Sequence, residues 1–309
     1  MATCARPSPY PHAIAFAAAF DVLATNPRGG PRKEDVGGAD TRAHLDSSRE
    51  CSDDVAVGFG AASSPRVHIG TAGWAIPRAS AHRFAPRGTH LERYAAGLSC
   101  VEINSAFYRP HARATYARWA AATPEGFRFS VKVPRLITHD QRLRRPRRPL
   151  ERFLAEVGGL GGKRGPLLVQ LPPSLEYDVR VAARFFECLR AQDQGPVVCE
   201  PRHASWFTTA AERLLLRHRV GRVAADPSRA EGADVPSGWD GVAYFRWHGS
   251  PRMYWSRYAI ADLQALARMT RSLPPATDIW VVFDNTATGS AMENAWELRA
   301  LLSPGRSVD

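Results

Sequence analysis

Charged, amide and imidazole side chains recur at the ends of short apolar runs along this chain. In order they are Thr71 and Trp74; Glu102, Asn104 and Tyr108; Ser130 and Lys132; Gln170; Glu200, Arg202 and His203; Asp226; Arg246 and His248; Asp284 and Asn285. Strand side chains alternate faces with period two. Glu102/Asn104, Ser130/Lys132, Glu200/Arg202 and Arg246/His248 can therefore each present a pair to one side. Glu102, Glu200 and Asp226 supply negative charge; Lys132, Arg202 and Arg246 supply positive charge. Buried charges must be paired or must bind an ion. Such a mixed ring suits a ligand-binding site in which Arg and Lys hold an anion and a carboxylate acts as acid or base. Glu200, His203, His248 and Asp226 are read as the proton-transfer set. Trp74, Glu102, Asn104, Tyr108, Lys132, Gln170, Arg202, Trp206, Arg246 and Asn285 are read as ligand contacts. No cofactor is called for, because a dinuclear metal site brings carboxylates and histidines without so many interleaved cations. A single divalent metal on Glu200, His203, Asp226 and His248 is the competing use of the same residues. Salt bridges that only hold strands in register are the plainer one. For Trp74, Trp206 and Trp255, core packing and stacking on a sugar or base both stay open.

The elements that must position these residues are regular from Arg66 onward. β-Branched or aromatic runs lie at 67–70, 101–104, 127–132, 167–171, 197–200, 220–225, 242–247 and 279–284. Most are apolar almost throughout, as in parallel strands buried on both faces. Helical patterns alternate with them. Thr89-His90-Leu91-Glu92, Thr209-Ala210-Ala211-Glu212 and Ser290-Ala291-Met292-Glu293 read as capping boxes. Asp178 reads as a cap for 179–190, and 260–273 as a further helix. The sixth connection, 227–241, is rich in Pro and Gly and holds at most a short helix. Eight alternations over about 240 residues predict a (β/α)8 TIM barrel of eight parallel strands, a fold of typically ~250 residues. The listed polar residues then fall at the C-terminal strand ends, where such barrels carry their chemistry. An open doubly wound sheet fits less well, since Gly70-Thr71-Ala72-Gly73 lacks the G-x-G-x-x-G order.

Residues 1–65 read differently, as a low-complexity N-terminal extension that is disordered or lies upstream of the true start. The barrel domain is expected over 66–302, with a tail at 303–309. Of 309 residues, 41 are basic and 30 acidic, a net charge of +11. The extension holds six basic and eight acidic residues, so the remainder carries +13. That excess favours anionic partners. All the basic residues are arginine except Lys33, Lys132 and Lys163. An arginine run (Arg135, Arg142, Arg144, Arg145, Arg147, Arg148, Arg152) marks the segment 135–152, either a solvated basic loop or a clamp for phosphate, including a nucleic-acid backbone. Five scattered cysteines with no C-x-x-C exclude a disulfide framework or structural zinc. No apolar stretch is long enough for a membrane span, and a cytoplasmic setting is the default. The segment Gly158–Arg164 lacks the order of a phosphate loop and precedes a strand. There is no G-x-S-x-G and no H-E-x-x-H.

Seven ordered motifs carry a resemblance. They are Ile69-Gly-Thr-Ala-Gly-Trp74; Val101-Glu-Ile-Asn-Ser-Ala-Phe-Tyr108; Phe129-Ser-Val-Lys-Val-Pro134 with Ile137-Thr-His139; Gln170-Leu-Pro-Pro-Ser174; Glu200-Pro-Arg-His-Ala-Ser-Trp-Phe207; Tyr244-Phe-Arg-Trp-His-Gly249; and Phe283-Asp-Asn-Thr286. Over about 66–302 the chain resembles the YecE-like family, domain of unknown function seventy-two. The resemblance implies a TIM barrel and a soluble, bacterial-type protein, and brings no settled reaction. Where the family commonly has Asn-Asn after the last strand, this chain has Asp284-Asn285. The segment 75–81 also lacks the aromatic residues usual there.

The functional expectation is a barrel enzyme acting on a small anionic or phosphorylated, sugar-like ligand. Arg202, Arg246 and Lys132 would bind the anion, Glu200 would be the acid or base, and His203 and His248 would assist. A nucleic-acid-binding barrel with metal-dependent phosphodiester cleavage, and a non-catalytic ligand-binding protein, are the rival readings.

Overall fold

The computed structural model describes residues 66–303. The expected N-terminal extension and the tail beyond Ser303 lie outside these residues. Ten strands form one sheet: β1 (Val67–Ala72), β2 (Cys100–Ile103), β3 (Arg128–Lys132), β4 (Arg164–Gln170), β5 (Val197–Glu200), β6 (Val220–Arg222), β7 (Ala224–Asp226), β8 (Ser237–Gly238), β9 (Val242–Trp247) and β10 (Asp278–Phe283). Their order is β7-β9-β10-β1-β2-β3-β4-β5-β6-β8. Every pairing is parallel except the short antiparallel contact of β8 on β6. The protein is thus a mixed α/β molecule with a nearly closed, barrel-like sheet.

The sixth apolar run departs from expectation. It is read as one strand but folds as two. β6 pairs with β5, β7 pairs with β9, and buried Val223 between them bends the chain so that the two halves serve opposite ends of the sheet. The following connection contributes only β8 and no helix among the described residues. Arg222 holds β8 in place, donating from Nε to Ser237 Oγ at 2.6 Å and from Nη1 to the Gly232 carbonyl at 2.9 Å.

Helices His90–Gly97, Arg113–Ala121, Arg147–Val157, Val179–Arg190, Thr209–Arg217, Ile260–Arg271 and Ser290–Leu302 lie between strands or after the last. The box at Thr89 forms as read: its Oγ1 accepts from Glu92 N, and Glu92 accepts from Thr89 N. Asp178 Oδ1 accepts from the backbone of Arg180 and Val181. The other two boxes do not form. Thr208 rather than Thr209 caps its helix, because Glu212 turns away to Ser237 and the Gly238 amide. Gly289, at φ +84°, precedes the last helix, and Ser290 Oγ meets Thr288 instead. The expected basic loop 135–152 is also only partly a loop, since Arg147, Arg148 and Arg152 lie on a helix.

Inside the sheet, alternate residues of each strand point inward. Cys100, Leu168, Val198, Val242, Tyr244, Trp280 and Val282 pack there as one cluster. Trp280 fills much of the lumen, and Gly165 on β4 makes room for it: a Cβ there would lie 2.3 Å from the indole. Two residues further along, the same inward files become polar: Cys100 leads to Glu102, Leu168 to Gln170, Val198 to Glu200, Tyr244 to Arg246 and Val282 to Asp284. The period-two rule thus carries an apolar core into a charged mouth.

Candidate functional site

Arg246 is the centre of that mouth and is 1 % exposed. Its Nε donates to Glu102 at 3.0 Å and its Nη2 to Glu102 Oε1 at 2.8 Å, a bidentate pair between β9 and β2. Its Nη1 reaches Glu200 Oε2 at 3.2 Å and Gln170 Oε1 at 3.4 Å. Its Nη2 also lies 2.9 Å from Asp284 Oδ2. Three carboxylates from β2, β5 and the end of β10 therefore converge on one guanidinium, and despite burial they hold its pKa well above the ordinary value. Tyr244, one inward position below, donates to Glu102 Oε2 at 2.8 Å.

His248 bridges two of those carboxylates. Its Nδ1 is 3.1 Å from Asp284 Oδ2 and its Nε2 is 3.2 Å from Glu200 Oε1. Arg202 Nε donates to Glu200 Oε1 at 2.8 Å. Burial opposes ionisation of Glu200, but Arg202, Arg246 and His248 hold its carboxyl well below the usual range. Asp284 is likewise held ionised against burial by Arg246 and His248. Glu102, Gln170, Glu200, Arg202, Arg246 and His248 are thus brought together from four strands and the loops that follow them.

Lys132, at the end of β3, is buried beside this cluster, with Nζ 4.1 Å from the centre of the Phe107 ring. It has no hydrogen bond or ion pair among the described residues. Burial, then the nearby Arg246, pushes its amine down to about 8. Phe107 also meets His139 edge-on at 5.0 Å. Burial, Lys132, Arg135 and Arg202 push that imidazole down to about 4. His139 is neutral at pH 7, with Nδ1 2.9 Å from Thr138 Oγ1. The guanidinium Nη2 of Arg202 is buried without a hydrogen-bond partner, as is Asn104 Oδ1.

Several expected site residues are used elsewhere. Asp226 Oδ1 accepts from Tyr258 Oη at 2.6 Å, and burial raises its pKa. His203 Nδ1 accepts from Ser205 N at 3.3 Å and caps residues 204–206, making none of the network's bonds. Among the described residues no group of three or more His, Cys, Asp and Glu is placed to hold a metal. Glu200 and His248 meet at 3.2 Å, but His203 and Asp226 are bonded elsewhere, so the four do not assemble into one set. Trp206 is core: it is 1 % exposed and its indole donates to the Leu175 carbonyl at 2.9 Å. Asn285 Nδ2 ties the end of β10 to the Ser256 carbonyl and to Asn294. Tyr108 is 77 % exposed and meets Phe107 edge-on at 4.9 Å. Trp74 is half-buried, edge-on to Trp119 at 5.1 Å. Arg246, read as an anion binder, has its donors occupied by protein carboxylates. Sequence reasoning left His139 and Phe107 out of the site and gave Asp284, though placed at a strand end, no role. The first two lie in short helical turns after strands (Leu136–Asp140 and Ser105–Tyr108), where period two gives no direction, although their motifs were visible.

A mostly parallel α/β barrel-like sheet with a charge network across one mouth defines the general class. Comparison with known proteins narrows it: the sequence model described as "Protein of unknown function DUF72" matches residues 68–308, and the chain belongs to that family. The chain is 29 % identical over 167 residues to UPF0759 protein YecE of Escherichia coli K12, covering 52 % of this chain and 59 % of YecE. It therefore spans under two thirds of that relative. UPF0759 protein YunF of Bacillus subtilis is 22 % identical over 267 residues, covering 76 % of this chain and 94 % of YunF. Crystal structures of DUF72 family proteins share the fold. That from Enterococcus faecalis has TM-score 0.67 at 20 % identity, covering 78 % of this chain and 97 % of its own. That from Thermotoga maritima has TM-score 0.65 at 23 % identity, covering 77 % and 99 %.

Proposed function

We propose that the barrel mouth binds a small anionic or phosphorylated ligand and acts on it as an enzyme. The observation that carries this reading is a pair of buried cationic groups with donors to spare: Arg202 Nη2 has no hydrogen-bond partner although its Nε is bound to Glu200, and the Lys132 ammonium forms no hydrogen bond or ion pair among the described residues and lies against Phe107. A buried donor left unsatisfied costs about 1–3 kcal/mol, and an anion's oxygens would satisfy both groups. Arg246 is given a structural role, because its carboxylates leave it no donor to spare. Glu200, expected to be the acid or base, is held ionised with both oxygens hydrogen-bonded. Its part is to aim Arg202 and His248. The neutral His139 imidazole, packed with Lys132 against Phe107, can accept a hydrogen bond from a ligand at neutral pH.

Thermal melting with inorganic phosphate and a panel of sugar phosphates, against the parent sugars, tests the reading. Anions should raise Tm and neutral parents should not, and Arg202→Gln should abolish the difference. Equal responses to charged and neutral compounds would overturn it.

One surface feature favours nucleic acid as a second reading. A groove of about 1130 Å³ between 141–149 and the helix Val179–Arg190 is lined by Arg144, Arg145, Arg147, Arg148, Arg180 and Arg184. None of the six forms an ion pair among the described residues. No aromatic side chain lines the groove, so contact would be with the phosphate backbone. Binding of a fluorescent DNA duplex should fall steeply with salt. Changing Arg144, Arg145, Arg147 and Arg148 to Gln should remove it.

A further inference from the structure

A chain that uses arginine for thirty-eight of 41 basic positions keeps lysine at three. Lys33 lies outside the described residues. Lys163 has an evident structural task, donating to the carbonyls of Ala120 at 2.7 Å and Thr123 at 2.5 Å, where it caps the end of a helix. Lys132 has no such task. It is 8 % exposed, lies against the face of Phe107 and donates to nothing among the described residues. The carboxylates that could have fixed an ammonium here, Glu102, Glu200 and Asp284, are bonded to Arg246. Arginine keeps its charge in proteins, whereas a buried lysine can give up its proton and become a nucleophile. A lysine at this position therefore supplies a capacity that the chain's usual cation lacks.

We propose that Lys132 forms an imine with a small aldehyde or ketone whose carboxylate or phosphate is held by Arg202. The inference rests on the anion-binding reading above and names its substrate class. The Nζ lone pair adds to the carbonyl carbon. The carbonyl oxygen then leaves as water, carrying both hydrogens of the amine, and a carbon–nitrogen double bond remains. No oxidant or reductant is needed. Glu102 from β2, Glu200 from β5 and Asp284 after β10 favour the ammonium, while burial and Arg246 from β9 oppose it. The result, near 8, leaves a reactive fraction of free amine at neutral pH. His139, uncharged, feels the charges of both Lys132 and Arg202 and shares the Phe107 ring with Lys132.

Glyoxylate, a small anionic aldehyde, and acetaldehyde, a neutral one of similar size, are the probes. Each is incubated with the full chain and cyanoborohydride, which reduces an imine to a stable secondary amine, and adducts are located by peptide mass spectrometry. Lys132 should be modified at least ten-fold faster than Lys163 or Lys33, with a rate that climbs through pH 8. Glyoxylate should exceed acetaldehyde about ten-fold, and Arg202→Gln should erase that preference while acetaldehyde still reacts. Phosphate-dependent Tm shifts without any Lys132 adduct would overturn the imine and leave the anion site standing. A Lys132 adduct formed equally from both probes would overturn the anionic substrate and leave the nucleophile standing. Lys132→Arg, checked by melting for an intact fold, should lose the adduct.

Discussion

Glu102 shows how a buried ion pair is judged at the residue scale. It is wholly buried and doubly bonded to Arg246. Removing its charge breaks the bidentate pair and leaves Arg246 with Glu200 and Asp284, a loss of about 3 kcal/mol, the low end for a broken buried ion pair. Glu102→Gln should lower the urea midpoint by that equivalent, and an unchanged midpoint would show that water relaxes the site. Lys132 predicts the opposite sign. Its pKa is lowered from 10.5 to about 8 on folding, so its charged form is a cost to the native state at neutral pH. Lys132→Met should therefore stabilise by roughly 1–3 kcal/mol at pH 7, and the gain should shrink between pH 8 and 10.5 as the wild-type amine deprotonates in the folded state. Acid stability follows the same linkage. His139 titrates near 4 when folded and about 6.5 when unfolded. Its contribution is complete above pH 6.5 and erodes as pH falls toward 4. Glu200 and Asp284, both depressed on folding, keep theirs above about pH 4 and lose it only as pH drops through their lowered values. His139→Gln should flatten the Tm–pH curve between 6.5 and 4 and leave the steeper loss below it.

At the scale of elements, the caps separate what can be read along the chain from what cannot. Thr89 and Glu92 meet within one turn, so their box is legible locally, and it forms. The pattern at Thr209 and Glu212 is equally good on paper, but Glu212 finds Ser237 and Gly238, 25 and 26 residues away, and Thr208 takes over the cap. Thr208→Ala should cost about 1 kcal/mol by thermal melting, and Thr209→Ala less than ~0.5 kcal/mol. The strand ends were legible for the reason the files are regular: apolar residues lead inward every second position and the polar residue follows in step. Which charge pairs with which was not legible, because three carboxylates on separate strands meet Arg246 only after the sheet curves. The loops gave least. His139 lies in a helical turn after a strand, where alternation stops predicting direction, and Asp226 ends β7, the half-run that the sequence does not separate from β6.

At the scale of the molecule, the parallel α/β barrel-like sheet was readable from eight apolar runs and their spacing. The break at Val223 was not, since nothing in Val220–Ala225 marks the point where one run stops serving β5 and begins serving β9. Gly165 beneath Trp280 belongs to the same scale, because its partner lies 115 positions away and no local rule asks for glycine there. Gly165→Ala should cost about 1–3 kcal/mol, the usual range for overpacking, measured as a lower denaturant midpoint.

The tie between Arg246 and Glu102 has a consequence for how such a molecule can be divided. The segment from β1 to β4 carries Glu102 but no guanidinium to meet it, while the segment from β5 to β10 carries Arg246 with two of its three acids. Neither piece alone completes the charged mouth. It comes into being only when the two segments join.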